Sequence, residues 1–131
     1  MAVLAPNGIA PLEVYLAALQ AGWYVTPINW HFTTPEIAYI VRDSDAKAFF
    51  VHERFGPAGA AAADEAGVPA SGRISYGDVP GFLPVEGVRE GQPTTRPDDR
   101  TAGAAMHYTS GTTGRPKGVR RPLSEIGRAH V

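Results

Sequence analysis

At 131 residues the chain has room for one core of ordinary size and not for two. Its composition, 44% hydrophobic and 19% charged, places it with folded proteins and not with disordered ones, and no apolar run approaches the ~20 residues of a membrane span. Twelve Lys and Arg against thirteen Asp and Glu leave a net charge of -1, which argues against a nucleic-acid or anionic-membrane partner, while the absence of cysteine excludes disulfides, thiolate metal sites and a thiol nucleophile.

Met1 to Asn7 lacks the basic and long apolar regions of a signal peptide, so a cytoplasmic location is expected. Ala2 to Leu4 is a short apolar run stopped by Pro6-Asn7-Gly8, which predicts a buried strand and a turn. A buried parallel strand has neighbours on both sides, so its place at the start of the chain implies missing upstream sequence. From Pro11 to Gln20, Leu12, Tyr15, Leu16 and Leu19 recur at helical spacing, and Gly22 supplies a stop, which predicts an amphipathic helix. Trp23 to Ile28 is aromatic and β-branched and predicts a second strand ended by Pro27; its aromatics, with Trp30, are expected in the core.

Thr33-Thr34-Pro35-Glu36 is a helix start, and Ile37, Ile40 and Val41 give that helix its apolar stripe, ending at Asp43-Ser44-Asp45. Lys47 to Val51 predicts a third strand. Strands alternating with helices give an α/β fold, a parallel-sheet βαβαβ unit. Pro57 to Gly67 is alanine-rich and predicts a helix of shallow packing, and Val68 to Arg100 is expected to be mostly loop, with Arg73 to Tyr76 its one strand. Asp43, Asp45, Asp64 and Glu65 are expected as solvated charges at helix ends. His31, His52, His107 and His130 show no metal-ligand spacing, so no metal ligand is assigned.

The chemistry concentrates after Ala102. Met106 to Val119 runs from an apolar strand into Thr109, Ser110, Gly111, Thr112, Thr113, Gly114, Arg115, Pro116, Lys117 and Gly118. Glycines allow backbone N–H groups to turn toward an anion, hydroxyls add short donors, and Lys117 adds a point charge suited to a β- or γ-phosphate. A Walker loop needs Gly before its Lys and Ser or Thr after it, and it opens a helix; here Lys117 lies between Pro116 and Gly118, and the following residues to Pro122 are expected to be extended. The basic group Arg115, Lys117, Arg120 and Arg121 is explained by phosphate binding without invoking nucleic acid.

Tyr108 to Gly118 closely resembles the signature loop of the adenylate-forming superfamily, which includes acyl-CoA synthetases, peptide-synthetase adenylation domains and luciferases. Leu16 to Gly22, Pro27-Ile28-Asn29 and Glu36 to Ile40 resemble that superfamily's first strand-helix repeats, and Pro27 to His31 with Gly118 to Pro122 look more like fatty-acyl or related acyl-CoA synthetases than amino-acid adenylating domains. The resemblance implies a partial large N-terminal domain over residues 1–122. It also implies a two-step reaction: a carboxylate and Mg2+-bound ATP give acyl-adenylate and pyrophosphate, and coenzyme A then displaces AMP.

Thr109, Ser110, Gly111, Thr112, Thr113, Gly114 and Lys117 are the nucleotide-binding residues so implied. The elements expected to supply the ribose contact, the hinge and the adenylation-step lysine would follow Pro122. No catalytic acid or base is therefore assigned, and the chain alone is expected to be inactive. A non-catalytic nucleotide-binding remnant, or another adenylate-forming ligase, is the alternative. Residues 126 to 131 match the translation of a common sequencing-adapter start, so 123–131 is expected to be a non-native tail.

Overall fold

The computed structural model describes residues 1–109 and 114–123. β1 (Ala2–Leu4), β2 (Tyr24–Pro27), β3 (Phe49–His52), β4 (Arg73–Tyr76), β5 (Leu83–Pro84) and β6 (Ala104–Ala105) form one parallel sheet in the order β5-β4-β3-β1-β2-β6. Both neighbours of β1 come from later in the chain: Val3 lies in register with Pro27 on one side and Phe50 on the other. The expectation that upstream sequence must flank this strand is thus not needed to explain its burial.

The order reverses at β1, since the chain moves from β1 to β2 and then back past β1 to β3. Right-handed crossovers in opposite directions place their helices on opposite faces. The core divides accordingly. Ala2, Leu4, Phe49 and Val51 point toward α2 (Thr34–Asp43) and α3 (Gly56–Ala66), whereas the alternating Val3 and Val25 point toward Val14 and Ala18 of α1 (Ile9–Ala21).

α2 begins as the sequence predicts: the Thr33 N–H donates to the Glu36 carboxylate at 2.7 Å, and Ile37, Ala38, Ile40 and Val41 are buried. The end of α1 also follows expectation, with Gly22 at φ 79° closing it. Its buried face does not. Val14 and Ala18 pack on the sheet, whereas Leu12 and Leu16 of the predicted stripe stand outward, about half exposed. With Glu13 the one charged residue in the helix, apolar spacing alone does not distinguish its faces.

The aromatic expectation is also corrected. Trp23 is 57% exposed, and Trp30 is 42% exposed and stacks on His31 and Phe55 instead of entering the core. α3 packs closely, not shallowly: Ala62 and Ala63 are fully buried, and a Cβ on Gly59 would collide with the Val51 side chain. The loop predicted after Tyr76 holds more structure than expected, in β5 and α4 (Val85–Arg89), and Val79, Phe82 and Val85 of this stretch are buried.

Candidate phosphate-binding site

β6 is held on β2 through Tyr24 opposite Ala104, and the Met106 N–H extends this ladder by donating to the Val25 carbonyl at 2.8 Å. The chain then leaves the large sheet. β7 (His107–Thr109) pairs antiparallel with β8 (Lys117–Val119), with His107 opposite Val119, Tyr108 opposite Gly118 and Thr109 opposite Lys117. The extended course expected after Lys117 is therefore a strand. The sequence-predicted loop is the connection of a hairpin. It brings together Thr109 and Lys117, eight positions apart, as exposed cross-strand neighbours. Of the other predicted residues, Gly114 lies at φ 112°, a conformation glycine adopts without a side-chain clash. Ser110, Gly111, Thr112 and Thr113 lie outside the described residues.

Alternation gives the hairpin two unlike faces. On one, His107, Thr109 and Val119 join Tyr15, Ala104, Ala105 and Arg121 around an open cavity of about 480 Å³. With Lys117 opposite Thr109, this face carries two hydroxyls, an imidazole and two cationic groups, and it lacks carboxylates among its named residues. Such a set suits an anion. His107 is exposed and lines this cavity. A larger cavity of about 570 Å³ lies against Met1, Trp23, Tyr24, Asp45, Lys47 and Arg120. Its Asp45 and Lys47 pair with each other at 2.7 Å, and it touches neither Thr109 nor Lys117, so size does not identify the phosphate site.

On the other face, Tyr108 packs against the core beneath α2, and its hydroxyl donates to Asp43 Oδ2 at 2.5 Å. Burial first, then the bond to Asp43, pushes the phenol well above the ordinary tyrosine range. Across the hairpin, a Cβ on Gly118 would stand 2.6 Å from Met106 Cε and 2.9 Å from Tyr108 Cζ. A side chain there would have to displace the tip of Met106 and the Tyr108 ring. Arg115 places its guanidinium 5.2 Å from the centre of the Tyr39 ring, and Arg120 lies 4.4 Å from that of Tyr24.

Asp43 and Asp64 are exposed at or near helix ends, as expected, and each also has a partner: Asp43 accepts from Tyr108, and Asp64 pairs with Arg73 at 2.6 Å. Of the basic group, Arg115 and Arg120 lie over aromatic rings, Arg121 lines the cavity, and Lys117 stands opposite Thr109. Among the described residues no group of three or more His, Asp or Glu stands close enough to hold a metal ion.

The AMP-binding enzyme family matches residues 1–125, and the chain belongs to this family of adenylate-forming enzymes, whose matched relatives include acyl-CoA and acyl-carrier-protein ligases. The fatty acid acyl-carrier-protein ligase ScoC of Streptomyces coeruleorubidus is 32% identical over 111 residues, 82% of this chain and 20% of the relative. A feruloyl-CoA synthase of an Amycolatopsis species is 36% identical over 123 residues, covering 91% of this chain and 22% of the relative. Among solved structures, the anthranilate CoA ligase AuaEII in complex with anthranoyl-AMP matches with TM-score 0.75 and 25% identity, over 90% of this chain and 24% of that one. The chain thus spans about a fifth to a quarter of the length of these relatives. No helix among the described residues is long and apolar enough to cross a membrane.

Proposed function

We propose that the full-length protein activates a carboxylic acid with ATP and transfers the acyl group to the thiol of coenzyme A. In the first step a carboxylate oxygen attacks the α-phosphorus of ATP, the bond to the bridging oxygen breaks, and pyrophosphate leaves with the charge it gains. Groups that neutralise that charge lower the barrier. Lys117 and Thr109, with Ser110 to Gly114, are the residues assigned to this task. Magnesium enters as part of the MgATP substrate.

The observation that carries the reading is the hairpin that sets Lys117 opposite Thr109 beside a cavity with no carboxylate among its described lining residues, in a chain of this family. The relatives support it from another side. Relatives named for fatty, sulfoacetic and feruloyl groups match 82–91% of this chain, so the likeness common to them points to a shared activation chemistry and not to one acid. An acyl-carrier protein as thiol acceptor is the second reading, favoured by the likeness to ScoC. The acid is sought among fatty and related acyl acids.

Carboxylate-dependent exchange of pyrophosphate with ATP, run on this chain and on the full-length protein, tests the reading. Exchange by the full-length protein alone is expected. Exchange by neither, across a panel of fatty, aromatic and short dicarboxylic acids, would reject it. Residues 123–131 are proposed to be non-native, and genomic sequencing that found them in an uninterrupted reading frame would remove that idea.

A further inference from the structure

α2 does more than cover the sheet. Its last two turns carry Tyr39 and Asp43, four positions apart and so on one side of the helix, and each engages a different arm of the hairpin. Asp43 accepts from Tyr108 in the strand that leads into the phosphate loop. Tyr39 lies under the guanidinium of Arg115 on the arm that returns from it. Together they join parts of the chain 65 and more residues apart.

Asp43 also occupies an unfavourable position. It is the last residue of α2, where the helix dipole disfavours a negative charge and a basic or neutral residue would serve stability better. Its hydrogen bond to a half-buried phenol offsets that cost. The Tyr108 ring in turn occupies the space that the missing Cβ of Gly118 leaves free, so the bond to Asp43 fixes both strands at the root of the loop.

We propose that Asp43 is a positioning residue for the phosphate-binding loop: acting through Tyr108, and assisted by the contact of Tyr39 with Arg115, it fixes the hairpin so that Thr109 and Lys117 are held ready for the polyphosphate of ATP. The inference rests on the function proposed above. It adds a residue from outside the loop, and it makes ATP affinity depend on one hydrogen bond between α2 and β7.

The test uses the full-length protein, carboxylate-dependent ATP–pyrophosphate exchange, and the variants Asp43→Ala, Asp43→Asn, Tyr108→Phe and the double variant Asp43→Ala/Tyr108→Phe. Each of Asp43→Ala and Tyr108→Phe is expected to raise KM for MgATP about fivefold with kcat within about twofold, as for loss of one charge-assisted bond that preorganises a site. The double variant is expected to match the singles instead of multiplying them. Asp43→Asn, whose amide oxygen still accepts, should restore most of the affinity.

A double variant at the product of the two single effects would overturn the proposal, as would a KM unmoved in Tyr108→Phe. If Asp43→Ala fails to fold, Tyr108→Phe and Asp43→Asn decide the matter by the same readings. A wild-type protein without exchange would overturn the proposed function and this inference together, whereas normal wild-type exchange with unaltered variants would overturn this inference alone.

Discussion

The sheet body and the hairpin that leaves it are held by different means. Between Ala2 and Tyr76, strand residues alternate between two buried layers, and Phe49, Leu4 and Val25 have almost no exposed surface. In β7 and β8 the pattern is one half-buried residue between two exposed ones. Burial fixes the first region, and a glycine gap, a phenol and an aspartate fix the second. A loop that must meet a charged ligand keeps its polar face open, so little apolar area remains to hold it in place.

The largest expected effect lies in the body. Phe49 sits fully buried in β3 between β1 and β4, and Phe49→Ala should cost about 3–5 kcal/mol of stability in the full-length protein, measured by urea unfolding. Activity would then fall with the folded fraction. Lys117→Ala should show the opposite division: unfolding free energy within about 0.5 kcal/mol of wild type and exchange slower by roughly a hundredfold. A Lys117 variant that exchanged normally would remove the lysine from the site.

Gly118→Val belongs to both regions, since the new side chain meets Met106 and the Tyr108 ring. A stability loss of about 1–3 kcal/mol is expected, together with weaker ATP binding as the two strands part. Differential scanning calorimetry combined with nucleotide titration would read both. Unchanged stability would show that the hairpin accommodates the methyls without moving the phenol.

These contrasts also explain how much could be read from the sequence. Short apolar or β-branched runs and a well-marked helix start made β1, β2, β3 and α2 legible, because each is specified by neighbours in the chain. α1 was legible as a helix but not by face, since Leu12 and Leu16 match its buried side in chemistry. β5 and α4 were missed because two-residue and five-residue elements are too short to show a period. The loop was recognisable from its glycines, hydroxyls and lysine. The hydrogen bond of Asp43 to Tyr108 spans 65 positions and leaves no local signal.

The Tyr108 phenol gives the comparison a pH test. Its folded value is raised above that of an unfolded tyrosine, so the fold prefers the protonated form. That contribution is complete below about pH 10 and is lost as pH rises from there through the folded value. Thermal unfolding of the full-length protein should therefore lose stability more steeply above about pH 10 than Tyr108→Phe does. Parallel curves would mean that the phenol ionises as freely in the folded protein as in the unfolded one.

The smallest effect separates support from function within one helix. The Thr33 N–H is held by Glu36 in the first turn of α2, whereas Tyr39 and Asp43 meet the hairpin from its last two turns. Removing the first interaction by Glu36→Ala should cost about 0.5–1 kcal/mol, the scale of a lost helix cap, and thermal denaturation will read it. KM for MgATP should not move, because the four buried residues Ile37, Ala38, Ile40 and Val41 continue to hold the rest of α2 on the sheet. An increase in KM with so small a loss of stability would mean that the first turn of α2 also sets the position of its last, and that the body and the hairpin are coupled along the whole helix.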